Sequence, residues 1–379
     1  MYDNKLSFVL LGDPALRLAM PAYDVHTESI NGKDVKEVTV GALETVEING
    51  SVRNGNEVMT DFNGVVYVSV FDKEMEIRTL DNHDEGAYNY MDRSCIFSGK
   101  TSVVNGRFTI SMMLPKDINY SFGDGKVIYY AADEENNYEA NGYDLFTVGG
   151  FAEDSFDDEE GPQVEMCLNT NKFRSGDVVA QQSLFVAYVS DESGINISGV
   201  GIGHDVALRI DNGDWILLND YYESDLGTFK SGVVKVTLPE MDEGEHTLTF
   251  RVWDLLNNST SKTINFRVSN NATIKVSEVF CYPNPVKDHV TFAFRHDRPE
   301  EVIDATLHIF DLTGRELWEY KTEIFSQYNI DGNMTTIVDW DLTLDSGGTL
   351  RNGTYLYTVE INCTTGKEVT KTKKMIVAK

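Results

Sequence analysis

The stretch EGEHTLTFRVWDLLNN, Glu243–Asn258, decides the fold class. Its apolar residues Leu248, Phe250 and Val252 alternate with Thr247, Thr249, Arg251 and Trp253. Successive side chains on a strand point to opposite faces, so this spacing of two predicts a half-buried β-strand. The same grammar spreads outward on both sides. QQSLFVAYVSDESGIN, DVALRIDNGDWILLND and SGVVKVTLP precede the stretch. VTVGALETVEINGSV, GVVYVSVFD, GRFTISMMLP, GKVIYYAAD and YDLFTVGG lie further upstream. IKVSEVFCYPNPVKDHVTFAF, ATLHIFDLTGRELWEY and TTIVDWDLT follow it. Helical periodicity is nearly absent after Pro21.

Asn-Gly pairs at 31–32, 49–50, 54–55, 63–64, 105–106 and 141–142 read as tight hairpin turns, because both residues tolerate positive φ. Short strands at this spacing predict an all-β chain of three consecutive immunoglobulin-like β-sandwich domains. Their expected bounds are 23–150, 163–270 and 271–379. The acidic stretch 151–162, within GGFAEDSFDDEEGP, is the expected linker.

Residues 1–22 break the pattern. SFVLLGDPALRLAMP, Ser7–Pro21, opens with a run of the kind buried in the centre of an α/β sheet. Asp13 is placed to cap a short helix, Pro14 suits its first turn and Pro21 ends it. A strand and a short helix cannot form a core alone. The stretch therefore reads as the edge of a preceding α/β domain.

The 379 residues carry 32 Lys and Arg against 61 Asp and Glu, a net charge of −29. Affinity for nucleic acid or anionic membranes comes from cationic side chains, so the charge argues against both partners. From Asn271 onward the balance is 12 against 16, so the acidity belongs to the earlier 270 residues. No apolar run is long enough to cross a membrane as a helix. No secretory leader is visible before Leu11.

Cys95, Cys167, Cys281 and Cys363 form no C-x-x-C pair, which argues against structural zinc. Cys281 and Cys363 share a predicted domain, and spacing leaves their pairing open. His26, His83, His204, His246, His289, His296 and His308 sit in no recognisable catalytic motif. GVGIGHD, Gly199–Asp205, lacks the spacing and the helix of a dinucleotide loop, so His204 reads as a turn side chain. The acidic loops EDSFDDEEG and SDESGIN offer oxygen ligands for calcium without EF-hand spacing. The default expectation is no cofactor and no catalytic residue.

Four further motifs carry a resemblance. They are YPNP (Tyr282, Pro283, Asn284, Pro285), DLTGR (Asp311–Arg315, with Gly314), LRNGTYLYTV (with Gly353 and Tyr355) and the closing KKMIVAK (with Lys373 and Lys374). In this order and spacing the last hundred residues resemble the type IX secretion C-terminal sorting domain. Gly314 and Gly353 are expected to make turns, and the Lys-rich closing strand to form an exposed edge.

The opening segment, with Gly12, Asp13 and Pro14, resembles the end of a gingipain-like cysteine peptidase domain. SDESGIN, GIGHD, LNDYYESDL and EGEHTLTFRVWDLLNN resemble the sortase branch of that peptidase family. Such a sortase removes sorting domains from secreted cargo and attaches the cargo to lipopolysaccharide. It works at the outer membrane with a β-barrel partner of the PorV type and a type IX attachment complex. The catalytic His and Cys of that family lie upstream of the GDP segment, and no residue here matches them. The resemblance thus implies an exported, surface-associated, non-catalytic portion of a sortase that serves docking and positioning. The alternatives are a cargo protein whose sorting domain is removed, such as an adhesin or another gingipain-like peptidase, and a carbohydrate- or calcium-binding β-protein.

Overall fold

In the computed structural model, the strand Gly244–Trp253 places Leu248, Phe250 and Val252 in a core from which water is excluded. Its alternate side chains are half-exposed, as the spacing of two requires. The structure describes residues 20–80, 86–152, 158–199, 203–269, 272, 274–329, 332–345, 347–363, 366–369 and 372–379. The predicted remnant strand and helix, with Gly12, Asp13 and Pro14, lie outside these residues. The predicted all-β class holds: the described elements are strands apart from one 3-10 turn, Asn219–Tyr221.

Two compact units are formed. One comprises Met1–Ser155 with Asp225–Phe229, the other Phe156–Ser224 with Lys230–Lys379. The first unit has one hydrophobic core and the second has two.

In the first unit a nine-stranded sheet surrounds the core. Tyr23–Ile30 pairs antiparallel with Thr45–Asn54 and parallel with Tyr138–Phe151. Tyr138–Phe151 pairs with Gly123–Asp133, which pairs with Gly64–Phe71, which pairs with Cys95–Val103. Arg107–Met113 follows Cys95–Val103 through a tight turn, yet pairs with Thr45–Asn54 near the other end of the strand order. The sheet therefore curls on itself, and the two faces of a sandwich come from one continuous ladder.

Three Asn-Gly pairs make the predicted turns, at 31–32, 54–55 and 105–106, each with its glycine at positive φ. The other three do not. Gly50 and Gly142 lie inside strands and Gly64 opens one. Their glycines serve close approach instead of turning. A Cβ on Gly142 would stand 2.0 Å from the Val25 carbonyl oxygen, and one on Gly50 would stand 2.3 Å from the Phe108 ring.

In the second unit, the middle sandwich packs a four-stranded sheet against a five-stranded one around Phe185, Phe250 and Phe266. The C-terminal sandwich sets Val276–Tyr282, Val290–His296 and Met334–Trp340 against a second sheet. That sheet contains Val302–Phe310, Glu316–Phe325, Gly353–Cys363, Gly366–Val369 and Lys373–Val377. Trp318 and Trp340 stack between the layers at 4.1 Å and 10°, which makes them core residues. The two sandwiches share polar contacts, one buried and one partly buried. Asn333 Nδ2 donates to the Asn169 carbonyl at 3.0 Å, and the hydroxyls of Tyr188 and Tyr328 lie 2.7 Å apart.

Candidate functional site

The motif residues of the C-terminal sandwich converge on one ladder. Lys373–Val377 pairs with Gly353–Cys363, with Gly353 opposite Val377 and Tyr355 opposite Met375. Its two lysines point outward while Met375 and Val377 are buried. The other side of this strand is not the open edge expected from its lysines. Val286 N donates to the Ile376 carbonyl and the Val286 carbonyl accepts from Ala378 N, both at 2.7 Å. The Asn284 side chain completes the clamp, donating to the Lys374 carbonyl at 3.1 Å and accepting from Ile376 N at 3.0 Å. The YPNP segment thus holds the closing strand. Lys379 N donates to Asn352 Oδ1 at 2.8 Å, which ties down the residue after Ala378.

Gly353–Cys363 also pairs with Val302–Phe310, which ends at the Asp311–Arg315 turn. Asp311 organises that turn. Its Oδ1 accepts from the backbone N–H groups of Thr313 and Arg315 and from the Thr313 hydroxyl, and its Oδ2 accepts from Arg315 Nε. The Thr313 hydroxyl, followed by these other donors, holds the Asp311 carboxyl below the usual carboxylate range. Gly314 takes the expected positive φ. Gly353 does not turn; it is the first residue of its strand. Tyr355 donates its hydroxyl to the Arg351 carbonyl at 2.9 Å.

Among the described residues, the cysteines and histidines have the following partners. Cys281 is hydrogen-bonded with Tyr357, and burial raises the pKa of both. Cys167 pairs in the same way with Tyr328. His246 faces Asp211, His308 faces Glu316, and buried His296 faces Thr335. His204 lies against the Trp253 ring at 4.4 Å. None of these contacts joins a thiol to an imidazole. No disulfide links Cys281 to Cys363.

The two acidic loops named for calcium also meet, partly through a residue the sequence reading passed over. Carboxylates of Asp158, Asp191 and Asp254 lie within 4.8 Å of one another. Asp254, from the WDLLNN segment, is fully buried, and burial raises its pKa to about 6. Its oxygens accept from the N–H groups of Leu256 and Asn258 and from the Asn258 side chain, so its own turn supplies its partners. The sequence signal is Asp at the strand end followed by Asn-Asn three and four residues on, a side-chain-closed turn.

Residues 281–378 match the family described as the secretion system C-terminal sorting domain. Among solved structures, the dimeric latent PorU from Porphyromonas gingivalis is 32% identical, with 97% of this chain and 35% of that chain covered and a TM-score of 0.42. A mixed-linkage glucan utilisation protein of Bacteroides ovatus, SGBP-B, in complex with a heptasaccharide, is 12% identical, with 94% and 70% covered and a TM-score of 0.25. No curated protein matches the chain. The chain spans about a third of the length of the PorU chain. Residues 281–378 are a secretion system C-terminal sorting domain, and the chain that carries them resembles PorU along nearly all of its length.

Proposed function

We propose that this chain is the non-catalytic C-terminal portion of a cell-surface type IX secretion sortase of the PorU kind. Its task is to dock the enzyme at the outer membrane, beside a PorV-like β-barrel and the attachment complex, and to position a peptidase domain. That parent enzyme would remove cargo sorting domains and attach cargo to lipopolysaccharide. The observation that carries this reading is the sorting domain itself, with two of its motifs paired in one ladder and Asn284 of a third clamped to the closing strand. The 32% identity spread over 97% of the chain supports the sortase branch. The buried Asn333–Asn169 bond and the partly buried Tyr188–Tyr328 contact support a sorting domain kept on its protein, since cutting it away would expose them.

The second reading is a cargo protein whose sorting domain is removed on arrival, which the sorting-domain family alone would equally support. Intact-mass measurement of the surface-bound protein separates the two. A species ending at Lys379 supports the sortase. Loss of everything after about Ile274 defeats it in favour of cargo. Reading the coding sequence upstream of Met1 for an in-frame peptidase domain is the companion test.

A further inference from the structure

Between the middle and C-terminal sandwiches of the second unit lies a cleft of about 220 Å³. Its apolar floor includes Leu168, Phe173 and Val179, all buried. Its walls are cationic in a protein whose net charge is −29: Lys172 comes from the middle sandwich, and Lys275, Arg295 and Arg298 from the C-terminal one. Among the described residues, two carboxylates, Asp177 and Asp297, join them. Both already accept a backbone N–H, from Arg174 and Lys275 respectively.

The four cations differ in what holds them. Arg295 lies 3.7 Å from Glu278, and Arg298 lies 4.0 Å from Glu301 while donating to the Ala272 carbonyl at 2.6 Å. Arg298 is 2% exposed, so its charge is fixed in place and poorly screened. Lys172 and Lys275 are exposed, and among the described residues neither has a carboxylate within ion-pair distance. Buried His296 also lines the cleft. Its Nδ1 accepts Arg298 N and its Nε2 meets Thr335, so both ring nitrogens are committed.

We propose that this cleft binds a compact oxyanion, a phosphate or carboxylate on a body no larger than about one sugar ring. Guanidinium forks suit both groups geometrically, and the two exposed lysines add charge at the same cleft. The volume falls below the ~300 Å³ at which drug-sized ligand sites begin, which limits the body of the ligand. Phenylalanine and valine on the floor suit the apolar face of a small ring. The proposal is independent of the sortase reading.

The test uses the whole 379-residue chain, titrated with inorganic phosphate, with glucuronate and with glucose at constant ionic strength. Isothermal titration and thermal shift are the readouts. Saturable binding of phosphate or glucuronate, with none of glucose, is the expected result. The double variant Lys172→Ala/Lys275→Ala removes only exposed side chains and should weaken that binding roughly tenfold. Lys275→Glu should weaken it at least as much while leaving circular dichroism unchanged. Absence of saturation with both anions, equal binding of glucose, or unchanged binding in the lysine variants overturns the proposal. Whether phosphate or glucuronate binds better decides between the two oxyanions.

Discussion

Asn284 accepts the backbone N–H of Ile376 on its side-chain oxygen at 3.0 Å, across 92 positions of sequence. Its amide nitrogen donates to the Lys374 carbonyl, so one side chain serves both hydrogen-bonding directions of a strand. Asn284→Ala leaves both backbone groups without their partner. A loss of about 2 kcal/mol is expected for the C-terminal sandwich, read as a lower urea midpoint. Hydrogen exchange should locate the loss at Ile376. Unchanged protection there would mean the clamp contributes nothing.

The Trp318–Trp340 pair offers a second measurement. Both rings are buried, and Trp340 Nε1 donates to the Thr343 carbonyl at 2.9 Å. Trp318→Ala removes one of two stacked rings and should cost about 3–5 kcal/mol. Near-ultraviolet circular dichroism should lose intensity together with the midpoint. A cost under 1 kcal/mol would show that the layers close without the stack.

Acid should act on the second unit in two opposed ways. Burial, with the Arg298 charge second, lowers the pKa of His296 to about 4. The unfolded chain takes up that proton below about 6.5 while the folded protein refuses it, so stability is lost as pH falls from 6.5 to 4. The loss approaches about 3 kcal/mol at the acid end. Asp254 works in reverse. Burial, opposed by its Asn258 bonds and reinforced by the Asp191 charge, lifts its pKa to about 6. Its folded form keeps a proton that the unfolded chain has shed, so stability falls as pH rises from 3.8 to 6. His296→Gln should flatten the acid loss, and Asp254→Asn should steepen it. Urea midpoints at pH 4.5, 6 and 7.5 measure both. Parallel curves for the two variants would refute the assignment.

Glycine substitutions in the first unit test which Asn-Gly pairs turn. Gly142→Ala would drive a Cβ to 2.0 Å from a backbone oxygen and should cost about 3 kcal/mol or more. Gly55 sits at φ +62 with nothing within 4 Å of such a Cβ. Gly55→Ala should cost only about 1 kcal/mol of backbone strain. Thermal melts of the two variants compare them directly, and equal losses would contradict the structure.

Those pairs also mark where sequence reading stops. Alternation in HTLTFRVWD showed which face of the strand is buried, because a strand's period is local. Asn-Gly says only that positive φ is cheap. Whether a glycine turns or admits a neighbour depends on what crosses it, and Val25 lies far from Gly142 in sequence. The same limit hid the partner of the closing strand. KKMIV showed its alternation plainly, but the lysines suggested an open edge, and only the fold brings Asn284 and Val286 beside it. Asp254 went unremarked for a related reason: in isolation it is one carboxylate in a turn, and its meaning comes from Asp158 and Asp191. The sorting motifs, by contrast, were legible as a set because each turn or clamp depends on a specific residue type, such as Asp311 in its tight turn.

The clamp has a temporal consequence. Asn284 leaves the ribosome 90 residues ahead of Lys374. Until that strand arrives, Met375 and Val377 are missing from the interior and the YPNP segment has nothing to grip. Contacts this distant in sequence form late, because a long loop must close before they add stability. The domain is therefore completed last at its closing strand, which enters a slot laid down 90 residues earlier in the chain.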